Sequence, residues 1–520
     1  MHPKFALHMQ RVGLASMIIG AVGTVSATDH LLTIGGGYEP AGNQASLEAN
    51  ILFYQQVIGQ NYSTPVEHQI YFADGTDPKV DLQVMAPKLK SDSPAIELLE
   101  GIFSADGQQV TYRNHEIPNI TDEIRPAAIR SGLERIAARV IGGDRLIIYV
   151  TAHGGSAKGD DPMNTTITCW GKQSISMRQF TEWLDGIPSD VSIVMVMAQC
   201  YCGGFAHSIF SGGNPDNGLS KANRVGFFAQ RNDLPAAGCR PDIENDEEYS
   251  SYFWGAFFGR SRTGKSVGMV DVDQNGRVSF AEAHAYAVTA SQTIDIPLQT
   301  SDTFLRTYSR IAGYPKGALA VPSANVSGPD QELGLSSLSG TLENLVTQAS
   351  LDQRSIISAL SKQLKLPLDT EVAEVFNQKE IQEERFRQAR RDTGRRGSSR
   401  RGSRVTGRRD LQQQIIQNWP ELDKAYDWDD LAWLDGRRGE GFLDELRNLP
   451  AFETYWTSKV ERSRALEVAA YAELRAVQFR RLIHTMESVV LAKNLPLIAS
   501  PALLKRYGEI IDLESSFLGS

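Results

Sequence analysis

The chain has 520 residues, of which 41% are hydrophobic and 22% charged, and its formal net charge is −9. This composition excludes a mostly disordered chain, and four cysteines in this length exclude a small disulfide-stapled fold. The charge is uneven, because residues 385–409 hold eleven arginines and one acid, Asp392, which amounts to +10 and leaves −19 for the rest. We therefore expect no specific binding of nucleic acid by the protein as a whole.

The N-terminus has the pattern of a signal peptide. Lys4 and Arg11 precede an apolar run of small residues over 12–27, which ends at Ala27. The run is shorter than the roughly 20 residues that a membrane-spanning helix needs, although an N-terminal anchor is the alternative interpretation. We predict that residues 1–27 are a signal peptide, cleaved near Ala27, and that the mature protein is periplasmic or secreted.

Strands and helices alternate in the following part of the chain. The predicted strands are Leu31–Ile34, His68–Ala73, Arg145–Thr151 and Val191–Ala198, and the predicted helices are Ser46–Val57, Ile129–Ile141 and Ser176–Leu184. The last two strands are apolar on both faces, which is typical of a parallel sheet covered by helices on both sides. The predicted fold class is α/β, and in such sheets reactive groups collect beyond the carboxyl ends of the strands.

Two of these carboxyl ends carry residues with catalytic chemistry. The strand 145–151 leads into Ala152, His153 and Gly154, and the strand 191–198 leads into Gln199 and Cys200. An imidazole can accept the thiol proton and later return it to the leaving amine, and the thiolate is the nucleophile. The N–H groups of Gly154 and Cys200 would form an oxyanion hole. Each residue alone is more often a loop histidine or a buried cysteine, so the inference depends on the pair.

This arrangement resembles the caspase-like (clan CD) cysteine peptidases, such as the caspases, metacaspases, legumains and gingipains, over roughly residues 30–315. The resemblance depends on the two strand ends, where Cys202-Gly203 matches the Ser-Gly that follows the legumain and metacaspase nucleophile after one residue. It implies a mostly parallel sheet flanked by helices, a peptidase domain over 28–315 and endopeptidase activity through Cys200 and His153. The stretch from Gly35 to Asn50, including Asn43-Gln44, also looks like the first strand and helix of exported bacterial members.

The sequence departs from the family pattern next to the nucleophile. The caspase order Gln-Ala-Cys is replaced by Ala198-Gln199-Cys200, and the usual serine is Cys202. A different register, in which Cys202 is the nucleophile, remains an alternative. The resemblance also implies a specificity pocket in the loops at these strand ends. The acids Asp160, Asp161, Asp233 and Asp242 lie in such loops and would suit a basic substrate side chain, although loop acids are mostly solvated surface groups.

Residues 271–282 (DVDQNGRVSFAE) match the twelve-residue calcium-binding loop of an EF-hand. The predicted ligands are the side chains of Asp271, Asp273, Asn275, Ser279 and Glu282 and the carbonyl of Arg277. A helix is predicted after the loop, but Gly264 and Gly268 interrupt the helix expected before it. A single loop without a paired partner predicts a structural Ca²⁺ site rather than a calcium sensor.

The remaining cysteines can form at most one disulfide if Cys200 is the nucleophile. Cys169, Cys202 and Cys239 are then left, so at least one of them is a thiol. Cys202 either replaces the small serine of relatives or could be oxidised with a neighbouring thiol.

The C-terminal half is predicted to be helical. Residues 316–384 are interpreted as a linker followed by helices, 385–409 as an arginine-rich disordered linker, and 410–520 as an all-α domain. The predicted function is an exported cysteine endopeptidase that cleaves proteins or peptides and carries a structural calcium ion. The alternative is a catalytically silent caspase-like scaffold that binds a protein partner through the C-terminal helices. Attachment of residues 385–409 to an anionic surface is compatible with either function.

Overall fold

The computed structural model describes residues 27–85, 93–103, 110–237, 248–268, 270–313, 329–393, 405–424, 434 and 437–519. Three predicted segments lie outside these described residues. They are the signal peptide up to residue 26, the segment with Cys239 and Asp242, and residues 314–328, where the linker after the peptidase domain begins.

A sheet of six strands forms the centre of the molecule. The strands of the protein are β1 (Asp29–Gly36), β2 (His68–Phe72), β3 (Leu82–Met85), β4 (Val110–Arg113), β5 (Arg145–Ala152), β6 (Gly154–Gly155), β7 (Thr166–Cys169), β8 (Gln173–Ser176), β9 (Ser192–Met197), β10 (Arg224–Phe228) and β11 (Leu298–Gln299). The central sheet has the order β11-β10-β9-β5-β1-β2, and all its pairings are parallel except the one between β10 and β11. The predicted mostly parallel α/β sheet is confirmed.

Helices surround this sheet and make up the C-terminal region. They are α1 (Ala45–Asn61), α2 (Pro94–Phe103), α3 (Pro126–Ala137), α4 (Met177–Leu184), α5 (Tyr249–Phe258), α6 (Phe280–Ala290), α7 (Thr300–Tyr308), α8 (Pro329–Glu332), α9 (Leu342–Gln348), α10 (Leu351–Leu364), α11 (Val372–Asp392), α12 (Arg408–Asn418), α13 (Arg437–Arg447), α14 (Phe452–Ile498) and α15 (Pro501–Glu514). The predicted all-helical C-terminal region is confirmed. None of the described helices is both long and apolar enough to cross a membrane.

The two faces of the central sheet bury different side chains of the same strands. Every residue of β5 is buried, because neighbouring residues along a strand point to opposite faces and both faces are covered. On one face Tyr149 packs with Tyr54 of α1 and Trp254 of α5. On the other face Tyr71 of β2 lies against α3, where its hydroxyl accepts a hydrogen bond from Arg135. The helices on both sides thus hold the strand ends in place.

The long connection between β2 and α3 contains a hairpin. Strands β3 and β4 pair in antiparallel register, and α2 lies in the connection between them. A second antiparallel sheet, β6-β7-β8, follows directly after β5. Both small sheets begin near the carboxyl ends of the central strands, which is the edge where the candidate residues are expected.

The C-terminal helices do not form the separate domain that the sequence predicted for 410–520. Residues from Phe479 to Leu518 share a hydrophobic core with the central sheet and with α9 to α11. Residues 411–455 form a smaller core together with α2, which comes from the N-terminal half of the chain. The predicted boundary is corrected because the buried faces of these helices are covered by segments that are distant in sequence.

The predicted disordered linker at 385–409 is also corrected in part. Residues up to Asp392 belong to α11, and α12 begins at Arg408, while residues 394–404 lie outside the described part of the chain. Arginine has a high helix propensity, and Glu384 pairs with Arg387 and Arg391 at 2.8 and 2.9 Å on one side of the helix.

Candidate active site

The sheet places His153 and Cys200 at equivalent positions on neighbouring strands. Strands β5 and β9 are parallel neighbours in which Val150 is paired with Met197, and each candidate residue comes three positions later. Ala198 donates its N–H to Val150 O at 2.9 Å, so the pairing continues toward the dyad. The two residues therefore leave the same edge of the sheet side by side, as the strand-end argument predicted.

The backbones of the two candidate segments are in direct contact. A Cβ atom on Gly154 would lie 1.9 Å from Cys200 O and 2.9 Å from Gln199 Cγ. A residue with a side chain would force the segment that carries His153 away from the segment that carries Cys200. The glycine after the histidine is thus required by the close approach of the two strand ends.

The imidazole of His153 is held from the loop before α1. Its Nε2 lies 2.8 Å from Gly42 O and 2.9 Å from Gln44 Oε1, and its ring packs 5.6 Å from the ring of Tyr38. Burial lowers the pKa of His153 below its ordinary value, although the Gly42 carbonyl opposes this shift. The side chain is therefore a neutral imidazole near pH 7, in the state that accepts a proton.

These contacts also fix which ring nitrogen of His153 carries the proton. A carbonyl oxygen only accepts hydrogen bonds, so Nε2 must donate to Gly42 O. In the neutral ring the other nitrogen, Nδ1, then has the free lone pair. This tautomer makes Nδ1 the nitrogen that can take the proton of a thiol.

Cys200 lies half-buried under the loop that follows β10. Its Sγ accepts the N–H of Ala236 at 3.3 Å, and the neighbouring Tyr201 donates its N–H to Leu234 O at 3.1 Å. The thiol also donates to Ala236 O at 3.8 Å, so Sγ contacts both polar groups of Ala236. Tyr201 has a φ of +60°, which is uncommon for a residue other than glycine, and it starts the sharp turn after Cys200.

Cys202, the alternative nucleophile, is in a different environment. Its side chain is completely buried, and its Sγ accepts the N–H of Gln230 at 3.2 Å. Burial raises the pKa of Cys202 well above its ordinary value. It is therefore a protonated thiol without solvent access, and this geometry favours the register in which Cys200 reacts.

Gly154 occupies the position in its small sheet that an oxyanion-hole residue needs. Thr168 donates its N–H to His153 O at 2.8 Å, and Gly154 is paired with Ile167. Because hydrogen-bonded and non-hydrogen-bonded pairs alternate in an antiparallel ladder, Gly154 is in a non-hydrogen-bonded pair. Its N–H therefore points away from β7 instead of being used by the ladder.

The acids that were predicted to line a specificity pocket have partners of their own. Asp161 pairs with Arg178 at 2.7 Å, and Asp233 pairs with Arg231 at 3.0 Å. Asp160 is exposed, and Asp242 lies outside the described residues. The described residues thus give no pocket of unpaired acids around the dyad.

The predicted calcium loop is folded as a tight turn followed by α6. Asp271 accepts the N–H groups of Asn275 and Gly276 at 3.0 and 2.8 Å, and Gly276 has a φ of +85°. Asn275 accepts the N–H of Arg277 at 2.9 Å. Helix α5 ends at Phe258, so the described residues contain no helix directly before the loop, as predicted.

The carboxylates of this loop are placed suitably for one cation. Asp271, Asp273 and Glu282 each have an oxygen within 4.8 Å of the others. Calcium–oxygen distances are about 2.3–2.6 Å, so two oxygens on opposite sides of one ion are about twice as far apart, roughly 4.6–5.2 Å. Glu282 also accepts hydrogen bonds from Ser279 N and Oγ at 2.9 Å, which holds it at the start of α6. The chemistry of the donors fits Ca²⁺.

Gly42 and Gln44 are the site residues that sequence reasoning did not assign. Both lie more than 100 residues before His153, and neither type is a usual marker of catalysis. The sequence pattern at Asn43-Gln44 indicates only a resemblance to the first strand and helix of exported bacterial members of the caspase-like peptidases. Their role becomes visible only when the loop before α1 is placed beside the end of β5.

Comparisons with known proteins do not assign a family. No family model matches the sequence, and no curated protein matches it. Among solved structures, the crystal structure of protein GSU0716 from Geobacter sulfurreducens is similar over 50% of this chain and 88% of that chain. The identity is 10% and the TM-score is 0.28, which is too low to carry an argument about fold or function.

Proposed function

We propose that the chain is a cysteine endopeptidase of the caspase-like kind, with Cys200 as nucleophile and His153 as general base. The observation that carries the proposal is the placement of the two residues at equivalent positions beyond neighbouring parallel strands, with Gly154 against Cys200. Loops and strand ends of this type arise in many folds for structural reasons alone. Here, however, the tautomer of His153 leaves Nδ1 as the ring nitrogen that can accept a proton.

The proposed reaction uses only groups of this chain and water. His153 Nδ1 takes the thiol proton of Cys200, and the thiolate attacks the peptide carbonyl to form a tetrahedral adduct. The N–H groups of Gly154 and Cys200 stabilise the negative oxygen of this adduct. The protonated His153 then gives its proton to the leaving amine, and a water molecule hydrolyses the remaining thioester.

Peptide hydrolysis by matched variants tests this proposal. A library of quenched fluorescent peptides, varied at each position, is incubated with the wild type and with Cys200→Ala, His153→Ala and Cys202→Ser. We expect the first two variants to lose about 10³-fold or more in kcat, because the nucleophile and the base act as a unit. Cys202→Ser is expected to retain most activity, because it keeps a small polar group outside the reaction.

Three outcomes would contradict the proposal in different ways. Hydrolysis that is equal in wild type and in all three variants would assign the activity to a contaminant. An inactive Cys202→Ser together with an active Cys200→Ala would make Cys202 the nucleophile. A folded wild type that cleaves no peptide would favour the silent scaffold.

We also propose that the loop 271–282 binds a structural calcium ion. A bound Ca²⁺ would neutralise the three carboxylates that the loop brings together, and a ligand that binds only the folded state stabilises it by mass action. Starting from verified metal-free protein, the melting temperature should therefore rise with free Ca²⁺. Asp273→Asn and Glu282→Gln should remove this rise, whereas the exposed Glu343→Gln should keep it; equal melting in calcium and in chelator would refute the site.

The proposed location is outside the cytoplasm, and the proposed substrates are proteins or peptides. The location rests on the sequence of residues 1–27 alone. Detection of the mature N-terminus at Thr28 in the periplasmic or culture fraction would test it. Binding of residues 385–409 to anionic surfaces should weaken steeply with added salt if it occurs.

A further inference from the structure

The orientation of His153 depends on a short segment, Gly42 to Gln44. The outer two residues of this segment both bond Nε2 of His153, at 2.8 and 2.9 Å. A shift of the segment would therefore turn the imidazole and change the direction of Nδ1. What holds this segment in place thus also controls the dyad.

Asn43, the middle residue of the segment, points away from His153 and is completely buried. Its Oδ1 accepts the N–H of Gly37 at 2.9 Å, and its Nδ2 donates to Asp81 O at 3.0 Å. Its own carbonyl accepts the N–H of Gln83 at 2.7 Å. One side chain and one peptide group thus join the segment to the first residues of the β3–β4 hairpin.

The base of this hairpin is closed by a hydrogen-bonded pair of buried side chains, Asp81 and His115. Asp81 lies just before β3 and His115 just after β4. Asp81 Oδ1 accepts the N–H of His115 at 2.9 Å, and Oδ2 lies 2.8 Å from His115 Nδ1. Asp81 is fully buried and the side chain of His115 is 8% exposed. The bonds between the Asp81 side chain and His115 therefore also hold the Asp81 carbonyl, which accepts the hydrogen bond from Asn43.

The surroundings give this pair few ways to rearrange. The ring of His115 packs against Phe72 at 5.2 Å, and the carboxylate of Asp74 lies within 4.8 Å of both partners. Nearby, Arg113 of β4 is paired with Glu48 of α1. If His115 is removed, the buried Asp81 carboxyl loses its partner beside another acid, which destabilises its present arrangement at the start of β3.

We propose that Asp81 and His115 are positioning residues for His153, which act through Asn43 and the segment 42–44. The inference rests on the proposed function, because it concerns the base of the proposed dyad. Neither residue contacts the dyad directly, so their loss should lower the rate of the chemical step without weakening substrate binding.

The experiment compares two histidine–aspartate pairs at opposite ends of the sheet. His115→Ala breaks the pair at the hairpin, and His30→Ala breaks the pair of His30 with Asp144, 3.3 Å apart, beside the amino ends of β1 and β5. His115→Asn is the conservative variant, because its amide can donate from the position of Nδ1. Asn43→Ala removes the middle connection without changing Asp81 or His115.

Two measurements are made on each purified full-length variant after its melting temperature is recorded. The first is the rate of alkylation of Cys200 by iodoacetamide, followed by mass spectrometry of the peptide that contains it. This rate follows the thiolate fraction that the imidazole supports, and it needs no substrate. The second is kcat and KM with the best library peptide.

We expect His115→Ala and Asn43→Ala to lower the alkylation rate and kcat by about tenfold or more, with KM unchanged. His115→Asn should recover a large part of this loss, and His30→Ala should behave as wild type in both measurements. If His115→Ala does not fold, Asn43→Ala decides the question.

Other results would overturn the inference. Wild-type alkylation in Asn43→Ala or in a folded His115→Ala would show that the hairpin does not position His153. A raised KM with unchanged alkylation would assign the hairpin to substrate binding. If His153→Ala alkylates at the wild-type rate, the dyad itself is wrong, and the proposed function fails together with the inference.

Discussion

The two halves of the C-terminal helical region differ in what they pack against. The second half of α14 and α15 bury residues such as Leu482, Met486 and Ile510 in the core of the central sheet. Helices α12 and α13 and the start of α14 bury Leu411 and Leu446 against α2. Helices that are contiguous in sequence thus belong to two different cores.

Polar contacts show the same difference. Arg481 of α14 is buried and donates hydrogen bonds to the carbonyls of Val288, Ser291, Thr293 and Asp295 at 2.7–3.0 Å. The smaller core is joined to α2 by bonds such as those from the half-buried side chains of Arg408 and Gln412 to Ile102 O. The second half therefore completes the folded α/β unit, whereas the first half forms an accessory unit with the α2 insertion.

The largest effect is expected at Arg481. Arg481→Ala leaves buried carbonyls of the loop 288–295 without donors, and breaking such a network costs about 3–5 kcal/mol of unfolding free energy. Arg475→Ala is the matched control, because Arg475 also donates to carbonyls, those of Gln363 and Leu364, but is half-exposed. We expect a loss below about 1 kcal/mol for the control. If urea unfolding shows equal losses of unfolding free energy in Arg481→Ala and Arg475→Ala, the second half of α14 is not an integral part of the α/β unit.

The same substitution in each core separates the two units. Leu482→Ala and Leu99→Ala both remove a fully buried leucine, at a cost of about 2–4 kcal/mol each. In scanning calorimetry Leu482→Ala should lower the main transition, whereas Leu99→Ala should lower an earlier, smaller transition or create one. A single transition that shifts equally in both variants would show that the two cores unfold together.

Glu514 of α15 gives the second half a pH dependence. Burial raises the pKa of Glu514 to about 8, and its Oε1 accepts the N–H of Ser301 at 2.8 Å. The folded state therefore keeps the proton that the unfolded chain loses near pH 4.5, so stability falls as the pH rises from about 4.5 toward 8. Glu514→Gln should be as stable as wild type at pH 4.5 and more stable at pH 8, because each unit of the pKa shift corresponds to about 1.4 kcal/mol. Parallel stability curves of the two proteins from pH 4.5 to 8.5 would refute the assignment.

The smallest effect is expected from a chain cut between α11 and α12. The arginine-rich segment suggests processing there, which would separate a C-terminal fragment of the chain. A specific protease site placed within 394–404 should give two pieces that co-elute in native chromatography, because both cores cross the cut. We expect a stability change below about 1 kcal/mol. Release of the fragment would contradict the shared cores, and a cut in wild type but not in Cys200→Ala would identify self-processing.

Local sequence patterns determined much of the α/β half. The runs 146–150 and 193–198 are apolar on both faces, and burial on both faces is the arrangement that suits such strands. Because parallel strands end at the same edge, His153 and Cys200 could be placed together without knowing the rest of the fold. The calcium loop was also readable, since all its candidate ligands lie within twelve consecutive residues.

Only the tertiary structure decided how His153 is oriented and which core each C-terminal helix joins. Gly42 and Gln44 meet His153 across more than 100 residues, and Arg481 meets Ser291 across 190 residues. Such contacts leave no periodic pattern in the sequence, because a glycine carbonyl, an amide or a guanidinium is equally common on a surface. Their partners are set by the way the layers pack. The sequence by itself therefore determined which residues could react, and the packing of distant segments decided how they are held.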